Sequence, residues 1–369
     1  VTRDSYWVDF NLLENFIADV FVKIGVAPQE AMICAEILIT ADKRGIDSHG
    51  IGRLKLYVDR IRSGQISPIT KFEIVRETPT TAVADGHNGL GQVISKMAMQ
   101  LAIDKARHYG MGMVAVRNSN HYGFAGYYAL MAIKEDMIGI TGTNARPSIA
   151  PTFGVDNMLG TNPLTIGFPT DESFPFVLDC ATSVSQRGRV EVYSRQKKRL
   201  PEGWVINEKG QFCTDADQVL TDLILGKAAF TPLGGAGEEG AGYKGYGYAT
   251  VVEVLSAALQ QGAFLRQLTG HENGKLVPYR LGHFFLIIDI KAFVEPARFK
   301  KIAGDIMREL RQSKKAPGAE RIFTAGEKEH IAWLELQSKG ANLDAVLKEE
   351  ILQLRQEFNL NQYQFPFES

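Results

Sequence analysis

Gly235-Ala236-Gly237-Glu238-Glu239-Gly240 has the spacing of the GxGxxG turn that carries a pyrophosphate in doubly wound α/β sheets, and its reading decides the fold. Such a turn needs a buried strand ahead of it and bare backbone N–H groups facing the phosphates. The residues ahead of it, Ala228 to Leu233, include Pro232, which a central strand does not tolerate. Glu238 and Glu239 would set two negative charges against the phosphates. The stretch therefore reads as a mobile glycine loop ahead of a helix from Tyr246 to Gln260, and not as a Rossmann turn.

Outward from this loop, short β-branched runs alternate with helical ones. Strands are expected in Pro79–Asp85, Gly112–Asn118, Met137–Thr143, Pro163–Pro169, Phe174–Asp179 and Phe284–Ile290. Helices are expected from Gln92 to Tyr109, from Gly123 to Lys134 and from Ala181 to about Arg199. This alternation predicts an α/β sheet with covered faces.

Both ends of the chain read differently. Leu12, Phe16, Ile17, Val20, Phe21 and Ile24 recur at helical spacing before Gly25. Pro28 opens a second helix through Ile33, Ile37 and Leu38 that ends near Gly45, and a third runs from about Ile51 to Arg62. Beyond Pro296, Phe299, Ile302, Ile306 and Leu310 lie on one stripe, and a polar link through Lys314, Lys315, Pro317 and Gly318 leads to a helix from about Leu343 to Phe358. The ends, 1–70 and 295–369, are expected to pack as one discontinuous helical lobe beside an α/β domain of 71–294. The sequence shows no internal repeat.

Composition bounds the function. The 369 residues are enough for two lobes at ~100–200 residues per domain. Hydrophobic residues make up 45% and charged ones 22%, enough to bury a core. With 41 Lys plus Arg against 42 Asp plus Glu, the net charge of -1 argues against a nucleic-acid or polybasic membrane partner. No apolar run approaches a membrane span, and Asp4 and Asp9 sit where a signal peptide would be basic and apolar. Cys34, Cys180 and Cys213 are odd in number and far apart, which points to a reducing, cytoplasmic setting.

Four motifs could carry chemistry. Asp47-Ser48-His49-Gly50 lies between two helices, where Ser48 can cap the next one. If that helix starts there, His49, Arg53 and Tyr57 share a face at i, i+4 and i+8. An imidazole, a guanidinium and a phenol so placed suit an organic acid, with Arg53 gripping a carboxylate; a capping turn with a solvated face is the alternative. Asn118-Ser119-Asn120-His121-Tyr122-Gly123 joins a strand to a helix, the usual seat of reactive side chains, and its imidazole suits proton transfer to and from a hydroxyl.

The third motif, Leu178-Asp179-Cys180-Ala181-Thr182-Ser183, ends a strand and opens a helix; it fits an anion site or simple capping by Asp179 or Thr182. Gly242-Tyr243-Lys244-Gly245-Tyr246-Gly247 offers a lysine that could meet phosphate or ribose oxygens, or a solvated turn. Lys197-Lys198-Arg199 reads as a charged helix end. His87, His108, His271, His283 and His330 lie apart without metal-ligand spacing, so no required metal is expected.

Taken together, DSHG with Arg53 beyond it, NSNHYG, APTFG with MLGTNP, LDCATS, GGAGEE with YKGYG, and Gly326-Glu327 in FTAGEKE resemble the malate/L-lactate/sulfolactate dehydrogenase family, which is unrelated to the Rossmann-type lactate and malate dehydrogenases. The resemblance runs from about Leu13 to Phe358 and is strongest to the malate branch. It implies a non-Rossmann α/β fold with a central mixed sheet, a homodimer, and reversible hydride transfer between NAD or NADP (NAD favoured) and a 2-hydroxy acid. The helical lobe would then serve substrate and dimerisation, and the α/β domain the cofactor.

Carried over residue by residue, the resemblance makes His121 the proton carrier, with His49 its alternative or partner and Ser48 beside it. Arg53, with Tyr57, would hold the substrate carboxylate. Asp179, Cys180, Ala181, Thr182, Ser183, Tyr243, Lys244, Gly326 and Glu327 would contact the cofactor. Arg146, after the strand MIGITGTN, is the expected cation for the distal carboxylate of L-malate. Cys180 and Ala325 depart from the methionine and proline frequent at those positions. The rival readings are another 2-hydroxy acid or imine (sulfolactate, lactate, ureidoglycolate), or an inactive dinucleotide-binding protein.

Overall fold

A computed structural model describes residues 6–368, so Asp4 lies outside the described residues. The chain starts with β1 (Tyr6–Val8), α1 (Phe10–Lys23), α2 (Pro28–Lys43) and α3 (Leu54–Arg62). The middle runs β2 (Glu73–Glu77), β3 (Thr81–Asp85), α4 (Gly91–Tyr109), β4 (Met111–Ser119), α5 (Gly126–Lys134), β5 (Met137–Thr143), β6 (Leu164–Phe168) and β7 (Phe176–Cys180). Then come α6 (Arg187–Arg195), β8 (Val205–Asn207), α7 (Ala216–Leu225), β9 (Ala228–Phe230), α8 (Gly242–Ala257), a hairpin of β10 (His271–Glu272) and β11 (Lys275–Leu276), and β12 (Leu281–Asp289). The chain closes with α9 (Pro296–Gln312), α10 (Glu327–Leu336), β13 (Ala341–Leu343) and α11 (Ala345–Glu357).

The central sheet has seven strands in the order β2-β3-β4-β12-β5-β6-β7. Only β3 and β4 pair in parallel; every other neighbouring pair is antiparallel. A doubly wound dinucleotide fold needs a parallel sheet, so this is a mixed, non-Rossmann α/β fold. β12 inserts between β4 and β5, strands far from it in sequence. Its run from Gly282 to Phe285 is fully buried, as a central strand requires.

The glycine stretch behaves as its chemistry demands, with a shift in boundary. β9 is a three-residue strand outside the central sheet, paired with β8 and bridged at Phe230 to Ile149, and α8 begins at Gly242, ahead of the expected Tyr246. Gly234 and Gly235 take left-handed φ values of 98° and 97°, which break the chain between them.

Three cores hold the molecule. One joins α1, α2 and α3 to α11 and to Tyr363 and Phe365 near the end of the chain. A second packs α4 and α5 on the sheet. A third, built on Val190, Val205, Val219 and Phe230, gathers α6, β8, α7 and β9.

The 1–70 and 295–369 segments meet in the first core through α11 but not through α9. That helix turns Ala303 and Met307 inward and sets Phe299 edge-on against Phe168 of β6. Its stripe therefore divides: Ile302, Ile306 and Leu310, at i, i+4 and i+8, face outward and are 51%, 56% and 56% exposed. No helix among the described residues is long and apolar enough to cross a membrane.

Candidate active site

The link between α2 and α3 is not the helix start that its spacing suggests. Two 3₁₀ turns, Asp47–His49 and Ile51–Arg53, precede α3. Ser48 caps nothing; its hydroxyl lies 2.8 Å from Nδ1 of His49. The turns are shaped by Asp42, whose buried carboxylate accepts the Ile51 N–H at 2.8 Å. A Cβ at position 50 would stand 1.7 Å from Oδ1 of Asp42, so only glycine fits there. Burial pushes the Asp42 pKa up to about 8, with Ile51 N–H pulling it back and Asp47 adding to the rise. Arg53 folds back and donates from Nε to the Ser48 carbonyl, leaving its two Nη groups outside that bond; its charge acts on His49 and His121, but it does not itself line the cleft they open into.

The second motif is clamped from several sides. Asp85, at the end of β3, accepts from Arg117 Nε at 2.8 Å and from Asn118 Nδ2. Asn120 donates from Nδ2 to the carbonyls of Asn88 and Gly89 at 2.9 and 3.0 Å. Gly91, opening α4, lets the loop lie against the helix, since a Cβ there would stand 2.2 Å from the Asn120 carbonyl oxygen and 2.4 Å from that of His121. The asparagines thus hold the loop, and the histidine is what the loop presents.

His49 and His121 meet. Their rings stack at 5.5 Å between centroids and 19° between planes. Tyr57 is fully buried behind them, with Oη 2.6 Å from Nδ1 of His121. The Gly123 N–H donates to the same nitrogen at 3.3 Å. Nε2 is therefore the nitrogen of His121 left for a ligand. Tyr57, expected on the substrate face with Arg53, instead supports the imidazole from behind.

Burial, followed by the charges of His49, Arg53, Arg60 and His283, holds His121 well below the ordinary histidine range. Burial and then Arg53 push His49 down to about 4. Both rings are neutral at pH 7. His283, which its sequence position gave no reason to single out, is buried in β12. It stacks on Tyr122 at 4.7 Å, with Nδ1 2.7 Å from Thr143 Oγ1. A β-strand histidine among aromatics carries no local signal for such a role.

Ser48, His49 and His121 open into a cleft of about 550 Å³, with Asp179, Cys180 and Ala181 on one side and Thr324–Gly326 on another. Volumes of roughly 300–1,000 Å³ suit small ligands and cofactors. Arg44 and Lys328 also line the cleft and present cations to an anionic ligand. The donor set therefore fits a nicotinamide cofactor together with an organic acid. Arg44, Asn144, Gln186, Phe323 and Lys328 line it without having stood out in the sequence.

Other expected residues are placed differently. No helix starts at Ala181; the chain runs irregularly to α6 at Arg187, so no helix N-terminus faces an anion there. Asp179 stays exposed at the cleft edge, and its carboxylate accepts the Gly126 N–H at 2.6 Å and the Thr165 hydroxyl at 2.9 Å. Desolvation of that carboxylate by the surrounding chain raises its pKa, against the pull of those two bonds. Thr182 donates to the Asn162 carbonyl at 3.0 Å and Ser183 to that of Ser185 at 2.9 Å, so both hydroxyls are engaged by backbone.

Glu327 is buried and pairs with Arg321 and Arg311, while its neighbour Gly326 lines the cleft. Tyr243 and Lys244 are exposed on the first turn of α8 and do not line it. Their loop touches its rim through Leu233 N–H to the Thr182 carbonyl. Arg146 is exposed and lies outside the lining, so this chain does not bring it to a substrate. Lys197, Lys198 and Arg199 follow α6, which ends at Arg195. Among the described residues no group of three or more His, Cys, Asp or Glu is arranged to hold a metal.

Known proteins match this chain over most of its length. The family model described as malate/L-lactate dehydrogenase matches residues 8–352. A malate dehydrogenase from Pyrococcus horikoshii is 46% identical over 86% of this chain and 85% of its own. An L-sulfolactate dehydrogenase from Methanocaldococcus jannaschii is 37% identical over 94% and 96%. The crystal structure of malate dehydrogenase from Entamoeba histolytica superposes with a TM-score of 0.93 at 43% identity, covering 96% of this chain and 99% of that one. With the mixed sheet, the paired imidazoles and these matches in hand, the chain belongs to the malate/L-lactate dehydrogenase family.

Proposed function

We propose that this chain, an NAD(P)-dependent 2-hydroxy acid oxidoreductase by its family, catalyses the reversible oxidation of L-malate to oxaloacetate. The observation that carries the reading is the His49–His121 stack, backed by Tyr57 and opening on a cleft lined by Arg44 and Lys328. The malate dehydrogenases of P. horikoshii and E. histolytica support malate over sulfolactate as the substrate.

In this reading Arg53, outside the cleft lining but close enough to act on both imidazoles, turns its Nη groups to the C1 carboxylate on binding, and Nε2 of His121 takes the C2 hydroxyl proton. The Tyr57 hydroxyl can serve either tautomer of His121. It donates to a bare Nδ1, or accepts from Nδ1–H and so leaves a lone pair on Nε2 for the substrate proton. The cleft without substrate disfavours a charged His121, whereas a bound dianion favours one. Proton uptake is thereby tied to substrate binding. Gly326 and the Asp179–Ala181 edge would hold the cofactor, with NAD favoured over NADP, and when bound it accepts the hydride from C2. We infer a homodimer, supported by the outward apolar stripe of Ile302, Ile306 and Leu310 on α9, which a second copy would cover.

The test is consumption of reduced cofactor with oxaloacetate, pyruvate and sulfopyruvate as competing substrates, using NADH and NADPH in turn. Preference for oxaloacetate supports the reading, and preference for either other acid replaces malate while keeping the chemistry.

A further inference from the structure

L-malate carries two carboxylates, and the cation first expected for the distal one, Arg146, is exposed outside the cleft. Arg44 is a cation that does line it. It caps the C-terminal end of α2, four residues before Ser48, and lines the same cleft as Ser48, His49 and His121. Its guanidinium carbon lies 5.6 Å over the ring of Trp333 in α10, a contact that helps hold the side chain. Its Nε is buried and has no hydrogen-bond partner among the described residues. Its Nη groups make no hydrogen bond or ion pair among the described residues either, and Glu329 of the same lining acts on it only from beyond ion-pair distance, so an anion seated in the cleft would give the guanidinium the partner it lacks. Lys328, the other cation of the lining, has Nζ 4.9 Å over Phe323 but is solvent-exposed, so an anion gains less from it than from the half-buried guanidinium of Arg44.

The geometry points to Arg44 as the residue that grips the distal anionic group of the substrate and so selects dianionic 2-oxo acids over monoanionic ones. This rests on the proposed 2-hydroxy acid activity and names its specificity determinant. The chemistry Arg44 recognises is an anionic oxygen pair, which a distal carboxylate and a cofactor phosphate both offer, so the experiment separates the two.

The variants are Arg44→Gln and Arg44→Lys, each checked for an unchanged thermal melt. In Arg44→Gln, the KM for oxaloacetate and the Kd for malonate, a non-reacting dianion titrated calorimetrically, should rise roughly 10- to 150-fold, the range for loss of a charged hydrogen bond. Turnover of pyruvate and the KM for reduced cofactor should change by no more than about threefold. Arg44→Lys should recover part of the malonate affinity, since it keeps the charge and loses the planar fork. Equal losses on oxaloacetate and pyruvate overturn the proposal, and a rise confined to the cofactor KM assigns Arg44 to a phosphate instead. If the wild type turns out to prefer pyruvate, the malate reading fails, while the malonate titration still decides whether Arg44 binds a dianion.

Discussion

Two loops of this protein look alike on paper and differ in substance. Asn118–Gly123 is anchored by Asp85, by the carbonyls of Asn88 and Gly89, and by contact with Gly91 too close for any side chain. Gly234–Gly247 also folds through close approaches, with Cβ positions at Gly240, Gly242 and Gly245 standing 2.2, 1.9 and 2.2 Å from backbone oxygens of Gly234, Gly235 and Leu233, yet its Tyr243 and Lys244 side chains are exposed. Close approach of glycines shapes both loops; what separates them is that the first turns a titratable ring into the cleft and the second leaves its lysine outside the lining. The first loop holds one titratable ring in one place, and that is what catalysis by position requires.

The comparison breaks at its strongest point if His121→Ala keeps its activity. General acid–base catalysis contributes roughly 10²–10⁴-fold, and kcat for oxaloacetate reduction should drop by that much with an unchanged melting curve. Tyr57→Phe should lower kcat for malate oxidation by about 10–100-fold, because the Gly123 N–H then biases His121 toward the tautomer with no lone pair on Nε2. Its effect should fall on kcat more than on KM, which steady-state kinetics in the oxidation direction would read.

Gly91→Ala sharpens the contrast in stability. Overpacking against the Asn120 and His121 carbonyls should destabilise the fold by about 1–3 kcal/mol in a denaturant titration. Gly237→Ala, with open space around it, should stay within about 0.5 kcal/mol, and Arg146→Ala should leave both stability and kinetics as they are.

The pH dependence follows from the depressed imidazoles. A base held below its ordinary pKa stays competent as pH falls through 6.5, so the acid limb of kcat/KM for malate oxidation should lie below pH 6.5. The limb of kcat, set in the substrate complex, should lie at higher pH than that of kcat/KM. Stability carries the same sign for His49. Its pKa in the fold is below its unfolded value, so its contribution is present above pH 6.5 and is lost as pH falls toward about 4. Asp42 works in the opposite direction: its raised pKa favours the fold at low pH, and that contribution is lost as pH rises through about 8. Thermal melts between pH 4 and 9 would show both slopes.

Much of the fold was legible because hydrophobic period is a local signal. α1, α2, α4, α11 and strands β3 to β7 lie within a few residues of where their patterns put them. β2, α7 and α10 were missed: β2 is an edge strand exposed along its length, and α7 and α10 each bury at most two side chains, so none shows a full apolar stripe. The helix expected from Ala181 failed because capping residues there turn to the backbone of other segments. On α9, periodicity revealed the apolar stripe and could not say which part of it faces inward.

What the sequence by itself determined is the chemistry on offer: two histidine motifs, a guanidinium beside one of them, and a glycine turn that Pro232 and two glutamates bar from the Rossmann role. Each of these depends on residue type and near neighbours alone. Only the tertiary structure decided that His49 and His121 stack, that Tyr57 backs the ring, that Asp42 fills the space beside Gly50, and that Arg44 and not Arg146 enters the cleft. Those outcomes turn on β12 threading between β4 and β5 and on the helical ends closing against each other. Such long-range pairings set side-chain directions that no local pattern encodes.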